Sequence, residues 1–242
     1  MSKDWKKRFY PLICWFDPMD INSVKYIEFM FKNNPWVFCW IGEVFYRHDD
    51  LTLLTYWENS RMNTRSTYKI FEFASKYNLP ICFHNNLTST WVSDYPKYLY
   101  EMEDVLKKYP RVKSVFCHCW YSRRVIAPYY IDMLTRLLLT YENLYIDYSW
   151  IVFDEIICKN DITMEERAIF SEKFSNRIII GSDLLWTSLY KVWIENSKYN
   201  NFLSLLSNEA REKVCISNVE NVYWRNKNKT FKEIKLPKLS KL

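Results

Sequence analysis

Short apolar runs recur along the chain at Phe9 to Phe16, Trp36 to Ile41, Leu79 to Phe83, Val112 to Cys117, Asn143 to Tyr148 and Arg177 to Ile180. Each is too short for a helix and nearly continuous in hydrophobicity, the pattern of a strand covered on both faces. Their midpoints lie roughly 26 to 43 residues apart, the size of a strand, a helix and a return loop. The gaps carry the helical period instead. Asp20 to Lys32 gathers Val24, Ile27, Phe29, Met30 and Phe31 on a broad apolar face, with Asp20, Asn22 or Ser23 as its cap. Thr67 to Asn78 carries Ile70, Phe71, Phe73, Ala74 and Tyr77, and Asn78 closes it before Pro80. Pro96 to Tyr109 opens on a proline and ends on Lys107 and Lys108, opposite the negative end of the helix dipole. Pro128 to Tyr141 and Met164 to Phe174 continue the series, and two or three helical segments fill Leu184 to Trp224. Strands alternating with helices predict an α/β fold with parallel pairing and right-handed crossovers, in one domain over residues 1–224. The spacing suits both a TIM-type (β/α) barrel and an open doubly wound sheet.

Composition narrows the class. With 49% hydrophobic and 26% charged residues, the 242-residue chain is neither disordered nor fibrous. No apolar run approaches the ~18 residues that cross a bilayer, and Met1 to Arg8 leads into only a short apolar stretch, so no membrane contact is expected and the expected location is the cytoplasm. The net charge of +6 belongs to the segment 225–242, where seven basic residues face the single acid Glu233; residues 1–224 hold 27 basic and 27 acidic side chains. A neutral body with a basic C-terminal extension is a poor match to a nucleic-acid surface. The seven cysteines form no Cys-x-x-Cys pair, which excludes a zinc ribbon and a thioredoxin-type motif. Five of them, Cys14, Cys39, Cys82, Cys117 and Cys119, lie in or beside apolar runs, as small buried hydrophobes of a reduced compartment do.

Glycine changes the picture most. Only two occur, Gly42 immediately before Glu43 and Gly181 two residues before Asp183. Glycine is needed where backbone bends sharply or another group comes close, so both acids become site candidates. Two of the three histidines hold equivalent places: His84 ends the run from Leu79, and His118 ends the run from Val115. Glu43 and Asp183 end two further strands. Four donors at the C-terminal ends of four strands would converge at the mouth of a barrel, which favours that architecture. Two neutral imidazoles and a carboxylate hold a borderline divalent cation such as zinc, and a further carboxylate can move a proton beside it. Glu43 suits the ligand role; Asp183 suits the base role and can also ligate.

The ordered set of Glu43 in "IGEV", His84 after "LPICF", His118 after "YPRVKSVFC", the strand "ENLYIDYSW" and Asp183 in "NRIIIGSD" resembles the amidohydrolase-related metal-dependent hydrolases, a TIM-barrel superfamily. The closing "SNVENVYW" is similar to that family's terminal helix, and the resemblance covers about residues 9 to 225. It implies that Glu43 lies on the fourth barrel strand and can bridge metals. It makes His84 and His118, on the fifth and sixth strands, ligands of one metal. Asp183, on the eighth, becomes base and ligand of the other, so one or two ions are implied. The family opens with a His-x-His strand that this chain lacks, and Phe9 to Phe16 matches its third strand. An incomplete barrel with about six of eight strands is therefore expected: the chain is a fragment of a longer protein, or the gap is filled by a second copy, a partner chain or a rearrangement, or the chain is a decayed relative.

His48, just beyond Glu43, is a candidate replacement ligand or substrate contact, although a loop histidine beside Asp49 and Asp50 is more often solvated. Asn85 and Asn86 follow His84, while Trp120, Tyr121, Arg123 and Arg124 follow His118; these loops would line a small-molecule pocket in which an arginine grips a carboxylate or phosphate. The expected activity is metal-dependent hydrolysis of an amide, ester or lactone bond. A decarboxylase of the same superfamily, a TatD-like phosphoesterase or nuclease, and a non-catalytic barrel that binds a partner are the alternatives.

Overall fold

A computed structural model describes residues 10–34, 37–48, 60–88, 95–119, 129–149, 153, 158–184 and 191–223. The segment 225–242 lies outside them. All six expected strands are present: β1 (Leu12–Ile13), β2 (Trp40–Phe45), β3 (Ile81–His84), β4 (Ser114–Phe116), β5 (Leu144–Tyr148) and β6 (Ile178–Ile180). They pair in parallel and in strict chain order. A doubly wound sheet reverses its order at a switch point. A sheet that adds every strand to the same edge is the wall of a (β/α) barrel, so the strand order chooses between the two architectures that spacing allowed. Among the described residues the wall has six strands, and β1 and β6 are each paired on one side only.

Helices α1 (Ser23–Asn33), α2 (Arg65–Tyr77), α3 (Leu99–Lys108), α4 (Tyr130–Thr140) and α5 (Asp161–Lys173) fill the five crossovers. After β6 come α6 (Val192–Ser197), α7 (Asn200–Ser204), α8 (Asn208–Glu212) and, following a wide turn over Lys213–Ser217, α9 (Asn218–Tyr223). Strand side chains alternate between two separate cores, as a period of two dictates. Ile81, Phe83, Phe116, Leu144, Ile146 and Ile178 pack outward beneath the crossover helices, with the Phe83 and Phe116 rings stacked at 5.7 Å. Cys82, Val115, Cys117 and Ile179 face inward with Tyr145 and Trp40. The last helix closes the N-terminal end of this interior: Tyr223 lies 4.0 Å from the Trp40 ring, and Lys113, just before β4, donates to the Asn221 carbonyl at 2.6 Å. Asn218 anchors that helix by donating to the carbonyls of Ser175 and Ile178 at 2.6 and 2.7 Å.

Two expectations need correction. The second strand runs from Trp40 to Phe45 rather than from Trp36 to Ile41, so Glu43 sits inside it. Pairing to β3 shifts register between Ile41 and Val44 and resumes beyond Glu43, which carries the strand four residues further. Gly42 makes the irregularity possible: its φ is +126°, and a Cβ there would press on the Cys82 carbonyl, 2.9 Å from its carbon. The helix expected from Pro96 begins at Leu99, whose amide closes a turn on the Pro96 carbonyl. At α1, Asn22 occupies the cap position without a side-chain bond, while Asp20 receives the Asn22 amide at 2.8 Å.

Candidate metal centre

Each strand end delivers its donor for a local reason. Asn78 ends α2 in the left-handed conformation, and the Leu79 amide bonds back to Ala74, turning the chain into β3 with His84 on its inner face. After β4 the backbone enters a 3-10 turn over Cys117–Cys119, in which His118 has a φ of 58°. That left-handed conformation costs roughly 1–2 kcal/mol for a residue with a Cβ. It is offset by the His118 amide donating to Asp147 Oδ1 at 3.1 Å. Asp183 follows β6 by three residues, also at positive φ.

The four expected donors converge. Glu43 Oε1 lies 3.2 Å from His118 Nε2 and 3.6 Å from His84 Nδ1, while Asp183 Oδ2 lies 3.9 Å from His118 Nε2. One ligand atom each from Glu43, His84 and His118 falls within 4.8 Å of the others. A tetrahedral ion with bonds of about 2.0 Å spaces its ligands by about 3.3 Å, close to the 3.2 and 3.6 Å that separate Glu43 Oε1 from the two imidazole nitrogens. The buried Nδ1 of His84 supports that fit, because it has no hydrogen-bond partner. The other nitrogens are already engaged. His84 Nε2 meets Asn86 Oδ1 at 3.0 Å, which makes Nε2 the protonated nitrogen and leaves the Nδ1 lone pair facing Glu43. His118 Nδ1 meets Ser149 Oγ at 2.7 Å, and Ser149 donates its own proton to Asp147 Oδ1. Ser149 therefore accepts the Nδ1 proton, and the Nε2 lone pair is presented to the centre.

Without an ion, the Glu43 carboxylate and the His118 imidazole favour each other's charged forms, with a proton on Nε2 where an ion would draw on the lone pair. Burial works to raise the Glu43 carboxyl, yet His118 and His84 hold it down at about 2. Burial works to lower the His118 imidazole, and Glu43, Asp147 and Asp183 outweigh it, so that His118 is raised. Burial pushes Asp183 up to about 6 against the attraction of His118, with Glu43 and Asp147 adding to the rise. Asp147 is raised by burial as well.

His48 is buried rather than solvated: its ring stacks on His84 at 4.3 Å. Asn85 is buried too, and neither amide atom has a partner. Trp120, Tyr121, Arg123 and Arg124 lie outside the described residues. Sequence reasoning missed Asp147 and Ser149 as residues of the centre. Their signal was present: Tyr145, Asp147 and Ser149 alternate along an otherwise apolar strand, and a carboxylate in a strand buried on both faces needs a partner. Gly181 belongs with them, since a Cβ there would meet Asp147 Oδ2 at 3.0 Å and Ser149 Cβ at 3.4 Å.

A sequentially wound parallel wall with imidazoles and carboxylates gathered at the C-terminal mouth defines a TIM-barrel protein with a polar site in the usual place. The chain belongs to the amidohydrolase family, whose model matches residues 4–224. Among solved structures, it is similar to an uncharacterised TIM-barrel protein of Bordetella bronchiseptica, with 15% identity and a TM-score of 0.58 over 90% of this chain and 67% of that one. A dihydroorotase of Campylobacter jejuni matches at 17% identity and a TM-score of 0.56, covering 88% of this chain and 63% of that one. An amidohydrolase of Burkholderia multivorans matches at 10% identity and a TM-score of 0.56, covering 90% and 74%. The chain thus spans about two thirds of the length of the first two. No curated protein matches it.

Proposed function

We propose that this chain is a metal-dependent hydrolase acting on an amide, ester or lactone bond of a small-molecule substrate. The observation that carries the reading is the pair of imidazole nitrogens aimed at one Glu43 oxygen, one of them buried and without a partner. Glu43, His84 and His118 would hold one divalent ion, and two nitrogens with one carboxylate oxygen suit zinc. Bound there, such an ion supplies Lewis acidity to water and to the scissile carbonyl.

The remaining work falls to the chain. Asp183 is the least enclosed of the four donors, with 36% of its side chain exposed, so it faces the direction from which substrate arrives. Its elevated pKa of about 6 lets it take a proton from attacking water and return it to the leaving group near neutral pH. Asp147 and Ser149 keep His118 turned toward the centre. The unsatisfied amide of Asn85 is placed to bind a polar substrate group, because burying both its atoms unpaired is costly otherwise. His48, stacked on His84, limits the motion of that ring and borders the same space. Arg123, Arg124 and Trp120 are proposed to complete the pocket.

The test is hydrolysis by the purified chain, loaded with zinc or manganese, of a panel of amides, esters, lactones and phosphodiesters. Hydrolysis that Asp183→Asn abolishes while metal stays bound supports the reading. Cleavage of phosphodiesters alone would replace it with a phosphoesterase. A second reading is favoured by the edges β1 and β6, which among the described residues are each paired on one side only. In it the chain is a scaffold whose open wall binds a second copy or a partner chain, and a folded, metal-loaded protein inactive on the whole panel selects it.

A further inference from the structure

Directly beneath the donors, on the inner face of the wall, the sulfur atoms of Cys82 and Cys117 lie 2.7 Å apart. Even carbon atoms pack best at about 3.5–4.0 Å, and bonded sulfurs sit at about 2.05 Å. The two thiols are therefore in direct contact. Both cysteines are buried, in a small cluster with Val115, Ile179, Val222 and Tyr223. Cys82 lies in β3 and Cys117 in the turn that directly follows the adjacent strand β4, and each is tied to the centre: Cys82 precedes His84 by two residues and Cys117 precedes His118 by one. No step described above uses either thiol.

We propose that Cys82 and Cys117 are a peroxide-oxidisable dithiol whose disulfide ties the strand bearing His84 to the turn bearing His118 and weakens the metal centre. One sulfur attacks a peroxide oxygen, the O–O bond breaks, and the departing oxygen leaves as water with the thiol proton, giving a sulfenic acid. The second sulfur attacks that sulfur, the S–O bond breaks, and its own proton leaves with the hydroxyl as a second water. Two thiols are oxidised by two electrons in all, and one hydrogen peroxide is reduced. Drawing the sulfurs together pulls on the backbone within two residues of both imidazoles, and a metal centre tolerates ligand shifts of only about 0.2 Å. The effect on metal rests on the proposed function; the cross-link does not.

The experiment treats the full, reduced chain with hydrogen peroxide, blocks remaining thiols with N-ethylmaleimide in denaturant, and maps peptides by mass spectrometry. Among the seven cysteines, Cys82 and Cys117 are expected in one joined peptide pair, lighter by two hydrogens than its parts and separated by dithiothreitol. Recovery of both as alkylated thiols, or joined to other cysteines, once exposed Cys215 has been oxidised would overturn the site. The same preparations are then titrated with zinc against a chelator. Affinity is expected to fall at least threefold on cross-linking, and to be unaffected by peroxide in Cys117→Ser. Equal affinities in reduced and cross-linked protein would overturn the link to the centre, whereas a cross-link in protein that binds no zinc in either state would count against the metal reading alone.

Discussion

Replacing Ser149 with alanine tests how the centre is held. The serine is buried, and its hydroxyl accepts the proton of His118 Nδ1 at 2.7 Å while donating to Asp147. Alanine removes one oxygen, opens almost no cavity, and leaves a ring nitrogen and a carboxylate each short of a partner. The imidazole then loses the bond that orients its Nε2 toward Glu43 and fixes its tautomer. Partners of this kind are worth about 10–100-fold in metal affinity, or about 1.4–2.8 kcal/mol. Zinc dissociation constants, measured by chelator competition at one pH, should rise by that factor in Ser149→Ala and stay within about threefold in Ser149→Thr, which keeps the hydroxyl. Circular dichroism melts would show that both variants fold. A Ser149→Ala protein that binds zinc as tightly as its parent would refute the chain of reasoning from Asp147 through Ser149 to His118.

Gly42→Ala places a Cβ at a φ of +126° against the Cys82 carbonyl, and a loss of about 2–5 kcal/mol is expected in urea unfolding. Asn218→Ala leaves the carbonyls of Ser175 and Ile178 without their donor, and should cost about 1–3 kcal/mol by the same measurement. The metal-free Glu43 and His118 pair gives a pH profile. Glu43, lowered from 4.5 to about 2, stabilises above pH 4.5, and this is lost as pH falls toward 2. His118, raised above 6.5, stabilises below that value, and this is lost as pH rises through its folded value. Denaturation midpoints of the metal-free chain should therefore exceed those of Glu43→Gln most between pH 4.5 and 6.5, and a constant difference from pH 3 to 9 would contradict the pairing.

The alternation of buried runs with amphipathic segments was enough to place six strands and the helices between them, because burial on both faces and burial on one face leave different periods in a chain. The rarity of glycine was equally informative. Both glycines mark close approaches, Gly42 to the Cys82 carbonyl and Gly181 to Asp147, and each sits beside an acid of the centre. Glu43, His84, His118 and Asp183 were legible because they stand out in or just after apolar runs. What the chain could not state by itself was strand order, since a barrel wall and a doubly wound sheet share one spacing and differ only in which edge each strand joins. The extension of β2 past Glu43 depended on a register shift against β3, a property of two strands rather than one. The burial of His48 depended on His84 being there to stack against, and the roles of Asp147 and Ser149 depended on a left-handed turn bringing His118 back across a neighbouring strand. Local sequence determines which residues are able to act, because periodicity and polarity are local. Tertiary structure decides which of them meet, because hydrogen bonds and ligand geometry join atoms that are far apart along the chain and only a few ångströms apart in space.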